Sequence, residues 1–397
     1  MKPSAYIQHF ALSCSLGNDK SEVIRKLLSG DGSGLACSEP LISGRTTMVG
    51  RLPVRLPAVP DSLARFDCRN ARLLLDTYSQ ISEAVEQYKI LYAGDRIGVV
   101  LGSSTAGIAE GERAIASNLQ SGTLPIDYDY LQQELGSVSE FISTIAGLRG
   151  PAYTVSTACS SSARAVISAI RLLEAGICDA VIAGGADTLC GLTLNGFDSL
   201  EALSESRCNP FSHNRDGINI GEGAALFLIT REPGPLQILG FGESSDGYHI
   251  SAPDPSGSGP ELAIREALKM AGLLPGDVGY INVHGTGTGR NDSMEANVLS
   301  RIFGTAVPCG STKPLTGHTL GAAGALELAF CCLILDKLNH DQLLPPHVWD
   351  AQEDPQLASI ALVIRGQRLG KPVCMSNNFA FGGSNASLIV GRSADGP

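Results

Sequence analysis

Short apolar runs recur along the chain with helical stretches between them. Residues 97–101, 153–155, 180–183, 225–229, 280–283, 360–363 and 387–390 read as strands, and several are continuous β-branched runs rather than alternating ones. Unbroken apolar strands belong to sheets covered on both faces. Gly or Pro stands at most of their ends, where such residues break regular structure. Strands of this kind alternating with helices predict an α/β protein built in layers. One helix is predicted over 163–173, ending near Gly176, and another, rich in Gly and Ala, over 320–335. Arg65, Arg69 and Arg72 fall at helical spacing. The clearest break is Glu232-Pro233-Gly234-Pro235, which divides the chain into halves of 1–232 and 233–397. Residues 251–260 hold five Ser or Gly and three Pro and are expected to form a surface or site-lining loop.

A chain of 397 residues is too long for one compact core and fits two domains or a duplicated one. No repeat is visible between the halves. Hydrophobic content of 43% with 17% charged residues describes a well-buried globular protein. The net charge of −11, with no Lys/Arg run, argues against nucleic acid as a partner. The eleven cysteines include no CxxC pair, and only Cys331 and Cys332 are adjacent. That is neither a disulfide framework nor a zinc site, and it predicts free thiols in a reducing cytoplasm. Met1-Lys2-Pro3-Ser4-Ala5 lacks the apolar segment of a secretory signal. The longest apolar run, 320–335, carries Glu327 and is too short to span a bilayer.

Cys159 stands in Thr157-Ala158-Cys159-Ser160-Ser161-Ser162, between a β-type run and a helical pattern. A thiol at such a strand-to-helix turn faces unpaired N–H groups and the positive end of a helix dipole, which lowers its pKa. Small neighbours leave room for a substrate, so Cys159 reads as a nucleophile; the plain alternative is a buried inert cysteine. His284 follows a strand in His284-Gly285-Thr286-Gly287-Thr288, and His318 precedes a helix in Thr312-Lys313-Pro314-Leu315-Thr316-Gly317-His318. Strand ends and helix starts are where α/β proteins carry site residues. Phe379-Ala380-Phe381-Gly382-Gly383-Ser384-Asn385 holds a glycine pair that can converge N–H groups on an oxyanion.

Together these four motifs resemble the β-ketoacyl-acyl-carrier-protein synthases, elongating condensing enzymes of the thiolase fold. Ala183-Gly184-Gly185-Ala186, Arg215-Asp216-Gly217 and Ser244-Ser245-Asp246-Gly247-Tyr248 add to the likeness, which covers nearly the whole chain. The resemblance implies two βαβαβαββ halves in five layers, α-β-α-β-α, usually as a dimer. It implies that Cys159 accepts an acyl chain from carrier-protein phosphopantetheine, with the N–H groups of Cys159 and Phe381 as oxyanion hole. His284 and His318 would then hold the thioester carbonyl of malonyl carrier protein while CO₂ leaves. Lys313 would pair with Glu295, with Glu327 joining that network. Thr286, Thr288 and Ser251 would contact the pantetheine arm. Phe379, Phe381 and Gly382 would form a gate, and Ile108 with 128–134 the floor of the acyl pocket. Gln132, Gln133 and Glu134 are polar for an alkyl tunnel and would face a partner subunit instead. Arg65, Arg69, Arg72 and Arg207 would dock the acidic acyl carrier protein. The resemblance implies no metal and no tightly bound cofactor.

Two departures bear on this picture. Ala380 replaces a usual glycine, which predicts a stiffer gate, and the segment 206–217 is short. The latter leans toward polyketide and aryl polyene ketosynthases, which pair with a chain-length partner lacking the cysteine. A homodimer is the other expected state. Competing readings are a thiolase, whose second cysteine is poorly matched by Cys374; an initiating condensing enzyme, which has asparagine where His318 stands; a non-catalytic partner subunit; and a papain-like hydrolase.

Overall fold

The computed structural model describes residues 4–393. Strands β1 (Tyr6–Cys14), β2 (Cys37–Pro40), β3 (Thr46–Gly50), β4 (Ile97–Gly102), β5 (Ala152–Val155), β6 (Ala180–Asp187), β7 (Ile220–Gly221) and β8 (Gly223–Thr230) come first. They are followed by β9 (Leu236–Ser245), β10 (Tyr280–Asn282), β11 (Pro308–Gly310), β12 (Ala361–Leu362), β13 (Val373–Phe379) and β14 (Ser384–Arg392). Eleven of them form one hydrogen-bonded array in the order β12-β11-β10-β13-β14-β9-β1-β8-β6-β4-β5, and β2, β3 and β7 form a small separate sheet.

The array is two sheets joined at β1, which pairs with β8 along its length but with β9 only at Tyr6 and Ile7. Each sheet has the same plan. In the first, β4 is parallel to β5 and β6, β6 is antiparallel to β8, and β8 to β1. In the second, β10 is parallel to β11 and β13, β13 is antiparallel to β14, and β14 to β9. The duplication invisible in the residues is therefore plain in the strand order. Helices Ser161–Glu174 and Ala323–Leu335 pack on each other and lie between the two sheets, touching β6 and β14 from both. Helices Arg69–Ser79 and Ser137–Ile145 cover the outer face of the first sheet, and Ser258–Ala271 that of the second. This is the five-layer thiolase arrangement.

The central position explains two sequence features. All thirteen residues of Ala323–Leu335 are buried, as a helix enclosed on every side must be. Gly324 lies so close to the neighbouring helix that a Cβ would stand 2.7 Å from both the Cβ and the nitrogen of Ala163. Seven of these strands escape sequence reading: β1, β2, β3, β7, β9, β11 and β13. β1 carries Gln8 and His9, β13 carries Asn377 and Asn378 inside a buried strand, and β9 contains glycines at 240 and 242 that admit the helix Ser258–Ala271. The loop expected over 251–260 ends early, because that helix begins at Ser258. Arg65 lies in a 3₁₀ turn, Asp61–Phe66, and only Arg69 and Arg72 share a helix.

Candidate active site

The elements deliver their site residues at equivalent points of the two sheets. β5 runs into Cys159 and the helix Ser161–Glu174; β11 runs into Lys313, His318 and the helix Ala323–Leu335; β10 ends before His284; β13 ends at Phe379. All lie beyond the carboxyl ends of strands, where α/β folds place their sites. Cys159, His284, His318, Phe379 and Phe381 line a cavity of about 440 Å³, together with Thr286, Thr288 and Ser251.

Cys159 is 6% exposed and sits on a tight elbow. Ala158 takes a left-handed φ of 51°, a strained conformation for a residue with a Cβ. The turn is held by Ser161, whose Oγ accepts from the Thr157 N–H at 2.9 Å and donates to the Ala158 carbonyl at 2.6 Å. Ser160 Oγ shares a hydrogen bond of 2.8 Å with Ser384 Oγ at the start of β14.

His318 Nε2 lies 3.0 Å from Cys159 Sγ, and its Nδ1 accepts the Leu320 N–H at 3.3 Å. A ring nitrogen that accepts carries no hydrogen, so the neutral ring has its proton on Nε2, aimed at sulfur. His284 meets His318 edge to face, with ring centroids 5.3 Å apart. The donor atoms of Cys159, His284 and His318 all lie within 4.8 Å of one another. That spacing is close enough to bridge a soft metal ion, and equally suits hydrogen bonding to an acylated sulfur and its attacker. His284 Nδ1 is buried without a partner in the protein.

Burial overrides the helix dipole at the nucleophile. The Cys159 thiol is pushed up to about 11, opposed by the Lys313 charge and by the N–H groups of Phe381 and of Cys159 itself. The lowered thiol pKa expected from the sequence is thus corrected: enclosure in apolar surroundings penalises the thiolate more than the helix start favours it. Both histidines are pushed well below their ordinary value by burial, then by Lys313. They are neutral.

Lys313 pairs with Glu327, not Glu295, and both members are buried. Glu327 also accepts from Asn378 Nδ2 at 2.7 Å. Glu295 is occupied otherwise: its two oxygens accept the N–H groups of His284 and Gly285, each at 2.7 Å. Asp292 holds the next two residues through one oxygen, Oδ1 accepting the N–H groups of Thr286 and Gly287 at 3.1 and 3.2 Å. Two carboxylates of the helix Gly289–Phe303 thus fix the backbone of the histidine loop. Choosing between Glu295 and Glu327 for Lys313 required knowing which of their two helices meets the lysine in space.

The glycine-rich segment that follows β13 is tied to its neighbours. Gly382 N–H donates to the Ile250 carbonyl at 2.8 Å, and the Phe381 ring meets Phe197 in a tilted contact with centroids 5.6 Å apart. Ala380 has φ −102°, an extended value open to any residue, so its Cβ strains nothing in this conformation. The left-handed positions are Gly382 and Gly383.

Other expected residues fall elsewhere. Ile108 begins the helix Ile108–Ser121 and is not among the described residues lining the cavity. Gln132 is turned inward, donating to the carbonyls of Asp67 and Asp127, rather than toward a partner. Arg69 grips Glu222, which is 1% exposed, through two hydrogen bonds, and so is a structural counter-ion rather than a free docking cation. Arg72 is paired with Asp67, Arg65 lies 3.7 Å from Asp129, and Arg207 donates to the Gly32 carbonyl. Cys374 is buried on β13, and no second cysteine lines the cavity among the described residues. Sequence reading missed Asn378, Asp292, Phe197, the mouth residue Arg290 and the buried Asp187. Only Asp187, next to the Gly184-Gly185-Ala186 motif, had a local signal.

Among the described residues no helix is long and apolar enough to cross a membrane. The family description "Beta-ketoacyl synthase, N-terminal domain" matches residues 56–233, and "Beta-ketoacyl synthase, C-terminal domain" matches 236–348. Nodulation protein E of Rhizobium meliloti is 34% identical over 307 residues, 74% of this chain and 75% of that protein. The 3-oxoacyl-[acyl-carrier-protein] synthase 2 of Staphylococcus aureus is 32% identical over 313 residues, 74% of this chain and 77% of that protein. The ketosynthase ApeO, solved in complex with its chain length factor ApeC from Xenorhabdus doucetiae, superposes with a TM-score of 0.94 at 45% identity over 98% of each chain. The chain belongs to the β-ketoacyl synthase family and is a condensing acyltransferase of the 3-oxoacyl-[acyl-carrier-protein] synthase type.

Proposed function

We propose that the chain is the catalytic subunit of a cytoplasmic ketosynthase, with the nucleophile in 1–232 and the histidines and gate in 233–397. Cys159 sulfur attacks the thioester carbonyl of an acyl carrier protein, and the thiol proton leaves with the released pantetheine thiol. His318 Nε2–H, 3.0 Å from that sulfur, stabilises the thiolate as it forms. Malonyl carrier protein then enters past Thr286, Thr288 and Ser251. His284 and His318, both neutral, donate to its thioester oxygen while the bond to CO₂ breaks and its electron pair forms the enolate. The enolate carbon attacks the acyl-cysteine carbonyl, Cys159 leaves, and the 3-oxoacyl product is longer by two carbons. Developing oxyanions at the acyl-cysteine carbonyl are met by the N–H groups of Cys159 and Phe381. Burial first, and then Lys313 paired with Glu327, keeps both imidazoles uncharged, and no metal or tightly bound cofactor takes part.

The observation that carries this reading is the buried Cys159–His318 contact with His284 edge-on beside it. Arg65, Arg72 and Arg207 remain as candidates for carrier docking once Arg69 is assigned to Glu222. The similarity to a ketosynthase solved with a chain length factor favours a heterodimer with a cysteine-less paralogue and a polyketide or aryl polyene product. Intact-protein mass spectrometry tests the chemistry. Acyl carrier protein should leave an acyl adduct on Cys159, and malonyl carrier protein should discharge it as a carrier-bound 3-oxo product. A folded chain, supplied with its partner, that takes up no acyl group from any donor would refute the proposal.

A further inference from the structure

Asp187, the last residue of β6, is wholly buried, and no basic side chain pairs with it among the described residues. Its carboxylate instead accepts five hydrogen-bond donors. Oδ1 takes the hydroxyls of Ser103 and Thr105 and the Thr105 N–H, each at 2.7 Å, and the Ser104 N–H at 2.8 Å. Oδ2 takes the Ala322 N–H at 3.0 Å. A fully buried carboxylate is expensive to desolvate unless its lone pairs are filled. Here the donors come from two segments of opposite halves, 103–105 and Ala322, which this one side chain joins.

Both segments abut reacting atoms. The turn Leu320–Ala322 begins two residues after His318, and its Leu320 N–H is the donor that sets the His318 tautomer. Leu320 is held at a left-handed φ of 49°, unfavourable for a branched side chain. Gly321 is pressed onto the carboxylate, where a Cβ would stand 2.7 Å from Oδ2. On the other side, Ser104 Oγ reaches the carbonyl of Ala158, the strained residue before Cys159, at 3.4 Å. Strain of this kind persists only where surrounding contacts overdetermine it.

We infer that Asp187 is a positioning residue for the Cys159–His318 pair: its carboxylate locks the 320–322 turn, through which the Leu320 N–H holds His318 with Nε2–H directed at the sulfur. It touches neither substrate nor the reacting atoms. The inference rests on the roles proposed above for Cys159 and His318, but its test needs no carrier protein.

The test is a double-mutant comparison of Cys159 alkylation by iodoacetamide, followed on the intact protein at one fixed pH. Asp187→Asn keeps the shape but turns an amide donor toward existing donors. In the otherwise native chain it should slow alkylation roughly tenfold, the size of coupling inside one hydrogen-bond network. In a His318→Ala chain it should slow it no further. Nitrogen-15 spectra of labelled histidine should report His318 entirely in the Nε2–H form natively and a mixture of tautomers in Asp187→Asn. Equal losses in both backgrounds, or none in either, would overturn the inference. If Asp187→Asn does not fold, Thr105→Val removes one hydroxyl donor from the same carboxylate, and the same pattern of loss decides. Failure of acyl transfer with this coupling intact would sink the condensing mechanism while leaving the positioning role standing.

Discussion

Cys159 combines two environments with opposite effects. Enclosure raises the thiol to about 11, while Lys313 and two N–H groups favour the anion. The resting nucleophile is therefore a thiol, and its alkylation rate should climb about tenfold per pH unit from neutrality without a plateau below about pH 10. Measuring that rate across pH checks the assignment, and a plateau near neutrality would contradict it. The His284 ring is shifted in the opposite direction. Its folded pKa lies well below the ordinary value, so the unfolded chain binds a proton there at mildly acidic pH and the folded chain does not. Stability from this group is complete above its ordinary pKa and is lost as pH falls below it. Between about pH 7 and 5 the melting temperature of the native chain should fall more steeply than that of His284→Asn. Parallel curves would mean that His284 is not buried uncharged.

At the scale of elements, pairs that look alike on paper differ by burial. Arg69 and Arg72 sit on one helix, and each grips a carboxylate. Glu222 is buried, so Arg69→Ala strands an uncompensated charge and should cost about 3–5 kcal/mol. The Arg72–Asp67 pair is open to solvent, and Arg72→Ala should cost under about 1 kcal/mol. Urea denaturation of the two variants distinguishes them, and equal costs would contradict the assignment of Arg69 as a buried counter-ion. The two central helices are similarly constrained. A methyl at Gly324 would overlap Ala163 at 2.7 Å. Gly324→Ala should destabilise by about 1–3 kcal/mol and reduce acylation at Cys159, because the helix that must move is the one the nucleophile precedes.

At the scale of the whole molecule, the array ends at β5, whose outer edge is unpaired. Unpaired strand edges invite partners. The helix Ile108–Ser121 and the loop after it expose Ile115, Leu119, Leu124, Ile126 and Tyr130. Apolar side chains gathered at this density suit a subunit interface. Co-expression with a cysteine-less paralogue should give a particle of two chains by light scattering, and Leu119→Glu should shift it toward single chains. A particle unmoved by that change would place the interface elsewhere.

The layered α/β class was legible from unbroken β-branched runs, since burial on both faces leaves its mark on each strand separately. Cys159, His284 and His318 were legible because a site residue at a strand end is flanked by small residues that local sequence displays. What stayed hidden was whatever depends on two distant segments meeting. The partner of Lys313, the inward turn of Gln132, the capture of Arg69 by Glu222 and the raised Cys159 thiol are of this kind, and so is the network around Asp187. Sequence by itself singled out Cys159, His284 and His318 as the candidates, because motifs are local. Only the tertiary structure decided their protonation and pairing, because desolvation and hydrogen-bond partners come from chain segments as far apart as residues 159 and 318.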